Sequence, residues 1–142
     1  MDKQQIFELI SKNPAFYLAT VEKGEPRVRG MLLYKADEDG IVFHTGTMKE
    51  VYQQILDNPK VELCFNAGGT QIRVRGELEI IEDTKVKDEI SDHPSRKFLQ
   101  AWKTSGPLQN FYETFAVFKL KGGKALTWTI EQNFAPKEYI QL

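Results

Sequence analysis

Residues 16–45 read FYLATVEKGEPRVRGMLLYKADEDGIVFHT. Three runs rich in β-formers lie here: Phe16 to Val21, about Arg27 to Tyr34, and Ile41 to Thr45. Lys23-Gly24-Glu25-Pro26 and Asp37-Glu38-Asp39-Gly40 separate them as turns. The stretch predicts a three-stranded meander.

Working outward, Asp2 is placed to cap a first helix, with Gln5 three residues on to cap it in return. Ile6, Phe7, Leu9 and Ile10 share one face of it, and Asn13-Pro14 stops it. After the meander, Thr47-Met48-Lys49-Glu50 has the form of a capping box. Val51, Tyr52, Ile55 and Leu56 then make an apolar helical stripe ended by Asn58-Pro59. Val61 to Phe65 reads as a strand and Asn66-Ala67-Gly68-Gly69 as a turn. Thr70 to Ile81 alternates cleanly: Ile72, Val74, Leu78 and Ile80 on one face, Gln71, Arg73, Arg75, Glu77 and Glu79 on the other. Gly76 inside that run marks a bulge or bend. Glu82 to about Lys103 is helical with an interruption at Pro94, and Ser105-Gly106-Pro107 breaks it. Two last strands are expected, Phe111 to Leu120 and Lys124 to Ile130, joined by Gly122-Gly123. Residues 131–142 show no period. Seven or so strands with short turns and few helices imply a mainly β, α+β antiparallel barrel with helices at its ends, as one domain over 1–142.

Composition narrows the function classes. The 142 residues carry 19 Lys+Arg against 20 Asp+Glu, a net charge of −1, which disfavours a nucleic-acid partner. No apolar run approaches the roughly 20 residues that cross a bilayer, and Met1-Asp-Lys-Gln-Gln5 is no signal peptide. A cytoplasmic protein with no membrane partner is expected. One Cys and two His leave no basis for a structural metal site. Five of the basic residues are Arg, and four of those lie in two Arg-Val-Arg-Gly strings, 27–30 and 73–76.

Three constellations are suited to binding. His44-Thr45-Gly46-Thr47-Met48-Lys49 joins a strand end to a helix start, where free amides, two hydroxyls and an ammonium suit a phosphate; an ordinary capped helix is the plainer reading. Arg27 and Arg29 project from one face that continues through Met31 and Leu33, which suits a ligand with a charged tail and an apolar ring, or else a solvated strand face. Gln71 carries an amide able to read a heterocycle edge. For Arg73 and Arg75, with Glu77 and Glu79 following on the same face, cross-strand salt bridges are expected. Nucleophilic catalysis has little support. Cys64 reads as a small core residue, and His44 and His93 lie in no Ser- or Cys-based motif. Trp102 reads as core or interface, and Trp128 as that or as the flank of a planar ligand.

Taken in order, the strings Phe16-Tyr-Leu-Ala-Thr-Val21, Pro26-Arg-Val-Arg-Gly-Met-Leu-Leu33, Gly40-Ile-Val-Phe-His-Thr45, Asn58-Pro-Lys-Val-Glu-Leu-Cys-Phe65 and Gln71-Ile-Arg-Val-Arg-Gly76 resemble the pyridoxamine 5′-phosphate oxidase-like, FMN-binding split-barrel family. The resemblance implies a split antiparallel β-barrel of six to seven strands with flanking helices, and a homodimer with FMN at the subunit interface. It implies that Arg29 meets the flavin phosphate with Lys49, that Gly30, Met31 and Leu32 line the isoalloxazine, and that His44 and Thr45 adjoin them. Gln71 and the late aromatic Trp128 would approach the flavin, Gln71 from the partner subunit. The implied activity is FMN-dependent oxidoreduction, with hydride transfer through flavin N5 between a small donor and a small acceptor. No catalytic acid or base is implied. The Arg-x-His string of the vitamin-B6 oxidases is missing, so turnover of a phosphopyridoxal substrate is not expected. Two other readings remain: a non-catalytic flavin, F420 or haem carrier or sensor of the same fold, with His44 or His93 as iron ligand, and an interaction module without cofactor.

Overall fold

The computed structural model describes residues 1–105 and 110–142. Asp2 and Gln5 form the reciprocal capping box that opens helix α1, Lys3–Lys12. Its buried face is Ile6, Phe7 and Ile10. The meander follows as β1 (Ala15–Glu22), β2 (Glu25–Asp37) and β3 (Gly40–Gly46). Helix α2, Glu50–Asp57, leads into β4 (Lys60–Ala67) and β5 (Thr70–Ile81). A helical excursion comes next: α3 (Thr84–Asp92), a 3-10 turn Pro94–Leu99 and α4 (Gln100–Ser105). Gly106 and Pro107 of the expected break lie outside the described residues. Helix α5 (Phe111–Thr114), β6 (Phe115–Leu120), β7 (Lys124–Trp128), a 3-10 turn Ile130–Gln132 and β8 (Ile140–Gln141) complete the chain.

All strand pairings are antiparallel. The order β1-β2-β3-β6-β5-β4 closes on itself through the β1–β4 pairing, and β7 and β8 extend from β5. Six strands thus make the barrel and two lie beside it. β5 serves three neighbours because it changes sheets midway: Thr70 to Glu77 pair with β4, Gln71 to Arg75 also with β7, and Leu78 to Ile81 with β6. Gly76 stands at the corner, where a Cβ would come 3.2 Å from the Leu120 side chain. This is the bend its position in the strand predicts.

Alternation sends Phe16, Phe43, Phe65 and Phe118 into the barrel. Phe16 stacks on Phe65 at 4.8 Å and meets Phe43 edge-on at 5.5 Å. α1 and α2 add Ile6, Phe7, Ile10, Val51 and Ile55 to this core. A second core, Ile90, Leu99, Phe111, Phe115 and Val117, lies under the helical excursion, with Trp102 packed against it.

Four expectations are corrected. Thr47 does not cap α2. Its amide donates to the Thr114 carbonyl at 2.9 Å, and the N-cap is Lys49, without a side-chain cap bond. The buried stripe of α2 is Val51, Gln54 and Ile55, while Leu56 is exposed. Residues 111–114 are one helical turn rather than strand, and β7 ends at Trp128. Cys64 is half-buried on the outward face of β4, between Tyr17 and Arg73 of the flanking strands, rather than in the core. Desolvation there raises its thiol pKa.

Candidate functional site

The barrel is split between β2 and β3. β2 pairs with β1 from Glu25 to Leu32 but with β3 only from Leu33 to Asp37, across a register shift at Leu33/Lys35. β3 in turn pairs with β6 from Ile41 to Gly46. The two strands therefore part beyond Leu33 and Phe43. One edge of Arg27–Leu32 faces one edge of His44–Gly46 without a ladder between them. Backbone donors and acceptors on such edges need partners from elsewhere. Gly30 and Leu32 on this stretch are exposed, and Met31 packs against the barrel core.

Arg29 lies where β2 has left β3. Its register partner is Leu18, a core residue, so it points to the inner side of the sheet. There Nη1 donates to the Leu18 carbonyl at 3.1 Å and to Thr20 Oγ1 at 2.8 Å, and Nη2 donates to Gln54 Oε1. Thr20 Oγ1 also donates to Gln54 Oε1 at 2.6 Å, and Gln54 Nε2 donates to Glu22 Oε2 at 2.9 Å. Thr20 and Gln54 are each only 2% exposed. Guanidinium has five N–H donors, so three bonds leave two for a ligand. Burial lowers the Arg29 pKa, yet an arginine stays charged. Arg27 is separate, held by Glu22 at 3.6 Å and Glu25 at 3.0 Å on the surface.

Across the split, Thr45 is buried and Lys49 is exposed at the start of α2. The amides of Thr47 and Lys49 are committed to the Thr114 and Gly46 carbonyls, which corrects the expectation that both are free for an anion. His44 is held by Arg96, whose Nε donates to His44 Nε2 at 3.0 Å. The imidazole proton is therefore on Nδ1. Burial, with a smaller push from Arg96, lowers the His44 pKa to about 4. An iron ligand at His44 would have to displace Arg96 from Nε2. His93 Nδ1 accepts from the Ser95 amide at 3.1 Å.

Arg96 was not evident from sequence. It is 4% exposed, and its Nη2 donates to the Leu33 carbonyl at 2.7 Å, at the register shift where β2 departs. One guanidinium thus fixes both lips of the split, Leu33 and His44. Gln54 was missed too, although a polar residue at the i+3 position from Val51 carried the signal.

Gln71 and Trp128 lie elsewhere. They are register partners on β5 and β7, on the outward face of the sheet, and three strand spacings separate β5 from β2. Within one chain the fold brings Arg29, Gly30, Met31, Leu32, His44, Thr45 and Lys49 to the split, and Gln71 and Trp128 to a second place. The outward face between them exposes Tyr17 (64%) and Val28 (68%). Arg73 and Arg75 share it without the expected salt bridges among the described residues: Arg75 lies 4.2 Å over the Tyr139 ring, and Arg73 Nε is buried without a partner. No described helix is long and apolar enough to cross a membrane.

A family model described as pyridoxamine 5′-phosphate oxidase matches residues 2–128. A pyridoxine/pyridoxamine 5′-phosphate oxidase from Agrobacterium fabrum is 38% identical over 100 residues, covering 67% of this chain and 48% of that protein. The chain spans about half the length of the curated relatives it matches. Among solved structures, a NimC/NimA family protein from Clostridium acetobutylicum superposes with a TM-score of 0.75 at 23% identity, over 98% of this chain and 92% of that one. A pyridoxamine 5′-phosphate oxidase-related, FMN-binding protein from Nostoc punctiforme gives 0.65 at 20%, over 96% and 87%. A haem-binding protein from Mycobacterium smegmatis gives 0.67 at 14%, over 94% and 55%. At these identities the structural likeness establishes the fold alone.

Proposed function

The chain belongs to the pyridoxamine 5′-phosphate oxidase family, and from that premise we propose that it is an FMN-dependent oxidoreductase acting as a homodimer. The observation that carries the reading is the split itself. Unpaired β2 and β3 edges face one another, with a preoriented guanidinium at Arg29 and an exposed ammonium at Lys49 beside them. These residues fit the group: two free Arg29 donors and the Lys49 ammonium suit a phosphate dianion, and open strand edges suit the polar rim of a flavin. FMN, when bound, supplies hydride chemistry at N5, passing electrons from a small donor to a small acceptor.

The chain's own residues bind and orient. Thr20 and Gln54 hold Arg29 against the β2–α2 seam, so its guanidinium pays little further entropy on meeting a phosphate. Gly30, Met31 and Leu32 offer backbone groups along one lip, and His44 and Thr45 stand on the other. His44 is neutral at pH 7, so it adds no charge beside the ligand. Gln71 and Trp128 reach the same flavin from a second copy. The exposed Tyr17, Val28 and Leu32 on the intervening face support that arrangement.

The engagement of His44 Nε2 by Arg96 favours FMN over haem. The test is mass and absorbance analysis of ligand released from purified protein, with FMN titration of the stripped form. Arg29→Ala and Lys49→Ala are each expected to weaken FMN by about 1–3 kcal/mol. A protein that stays colourless and shows no spectral change with FMN, or a double variant that keeps full FMN content, overturns the reading.

A further inference from the structure

Arg96 is a buried charge with no counter-ion among the described residues. It is 4% exposed, and the ion pairs there involve Lys3, Arg27, Lys35 and Lys103 instead. Each of its acceptors is neutral: His44 Nε2 at 3.0 Å, the Leu33 carbonyl at 2.7 Å, and the Ser95 carbonyl and hydroxyl at 3.4 and 3.2 Å. The Tyr34 ring centre lies 5.5 Å from the guanidinium carbon. Burial lowers the Arg96 pKa, yet an arginine stays charged. For stability alone, an apolar side chain of similar volume is often as good or better. The guanidinium at this place calls for a second role.

That role lies in what it joins. β2 leaves β3 at the register shift Leu33/Lys35, and His44 stands on the other lip, paired with Val117 of β6. The β2–β3 ladder stops at Leu33↔Phe43, so contacts other than the ladder set the separation of the edges beyond it. Arg96 spans both. A planar fork with donors at fixed angles holds two acceptors at one separation, which an ammonium on a flexible stem does not. The turn that carries Arg96 is itself anchored. Its amide donates to the His93 carbonyl at 2.9 Å, and Leu99 is buried in the second core beside Ile90. Holding Nε2 also keeps the His44 proton on Nδ1. That N–H makes no hydrogen bond among the described residues and is not one of their buried unpartnered atoms, so it meets solvent at the lip.

On the flavin function proposed above, we infer that Arg96 is a positioning residue for the flavin site: its bridge from Leu33 to His44 sets the width of the split and presents His44 there as a neutral Nδ1–H donor.

The test compares Arg96→Met, which keeps the volume and removes charge and donors, with Arg96→Lys, which keeps the charge and loses the fork. Leu99→Ala is the control, because it opens a cavity under the same turn and removes no hydrogen bond from either lip. Circular dichroism checks folding, and Leu99→Ala should show a lowered Tm. In flavin-free protein, nitrogen NMR should find the His44 proton on Nδ1 in wild type and in Leu99→Ala, and moved in part to Nε2 in Arg96→Met. FMN should bind Arg96→Met at least about tenfold more weakly than wild type, with a shifted flavin absorption band. Arg96→Lys should recover at most part of that loss, and Leu99→Ala should bind FMN within about twofold of wild type. Wild-type affinity in Arg96→Met, or full recovery by lysine, overturns the inference. So does an equal loss in Leu99→Ala, since stability alone then accounts for the effect. Should Arg96→Met fail to fold, Arg96→Lys decides on the same readouts, and wild-type FMN affinity in it overturns the inference. Wild-type protein that takes up no FMN overturns the flavin reading and this role of Arg96 with it. Wild-type protein that binds FMN while the Arg96 variants bind it equally well overturns the role alone.

Discussion

Thr20→Val isolates the contact that orients Arg29. Threonine and valine are close in shape and both favour strands, so backbone preference nearly cancels. The hydroxyl lost is 2% exposed and takes part in two bonds, accepting from Arg29 Nη1 at 2.8 Å and donating to Gln54 Oε1 at 2.6 Å. A bond to a charged group contributes about 1.5–3 kcal/mol and a neutral one about 0.5–1.5. The methyl gained by valine returns about 0.8 kcal/mol. The net expectation is a loss of about 1.2–3.7 kcal/mol. Unfolding entropy of about 2.1 cal/mol/K per residue over 142 residues is about 0.3 kcal/mol/K, so Tm should fall by about 4–12 °C. The assay is urea and thermal denaturation of the flavin-free protein at one fixed protomer concentration, because assembly makes Tm depend on concentration. Gln54→Leu alone and with Thr20→Val completes a double-mutant cycle, in which the pair should cost about 1 kcal/mol less than the sum of the singles. A Thr20→Val loss below about 0.5 kcal/mol, or strict additivity in the cycle, refutes the claim that the Thr20–Gln54–Arg29 triad acts as a unit.

Two further outcomes are expected. His44 titrates near 6.5 in the unfolded chain and at about 4 in the fold; between those values the unfolded chain binds a proton the fold refuses, so stability is full above pH 6.5 and falls as pH drops toward 4, by on the order of 3 kcal/mol. His44→Gln should remove that part of the slope, and an NMR midpoint near 6.5 for His44 would contradict the burial argument. Gly123→Ala should destabilise by about 1–3 kcal/mol in urea unfolding, because its Cβ would stand 3.0 Å from the Arg75 carbonyl oxygen and 2.5 Å from Leu120 Cδ2, whereas Gly30→Ala, with nothing within 4 Å, should stay within about 0.5 kcal/mol of the parent; equal effects would mean that the close approach at Gly123 is not what selects glycine.

Features set by neighbouring residues were legible before the fold was known. The Asp2–Gln5 box, the turns at 23–26 and 37–40, the alternation of Thr70 to Ile81 and the bend at Gly76 all depend on local geometry, and all are present. Features that depend on register were not. Thr47 has the right neighbours for a cap, but strand β3 delivers its amide to Thr114, and the helix starts later. Cys64 sits in an apolar run, yet period-two alternation from Leu63 and Phe65 turns it outward. Cross-strand salt bridges are the expectation for Arg73 and Arg75, whereas Tyr139 from the chain after β7 lies against Arg75. For the candidate site, residues of β2 and β3 were recognisable from their strings. Arg96 was not, because a contact spanning 52 residues to His44 leaves no mark in either local sequence.

The parting of β2 from β3 has a consequence for handling the protein. A strand edge with unanswered backbone groups is a template for another strand, and native sheets ordinarily blunt such edges. On the proposed function the edge of Arg27–Leu32 stays open to admit the flavin. Without it, the edge is a site for edge-to-edge association between chains. Solubility and occupancy are therefore linked: whatever fills the split also shields the sheet from aggregation.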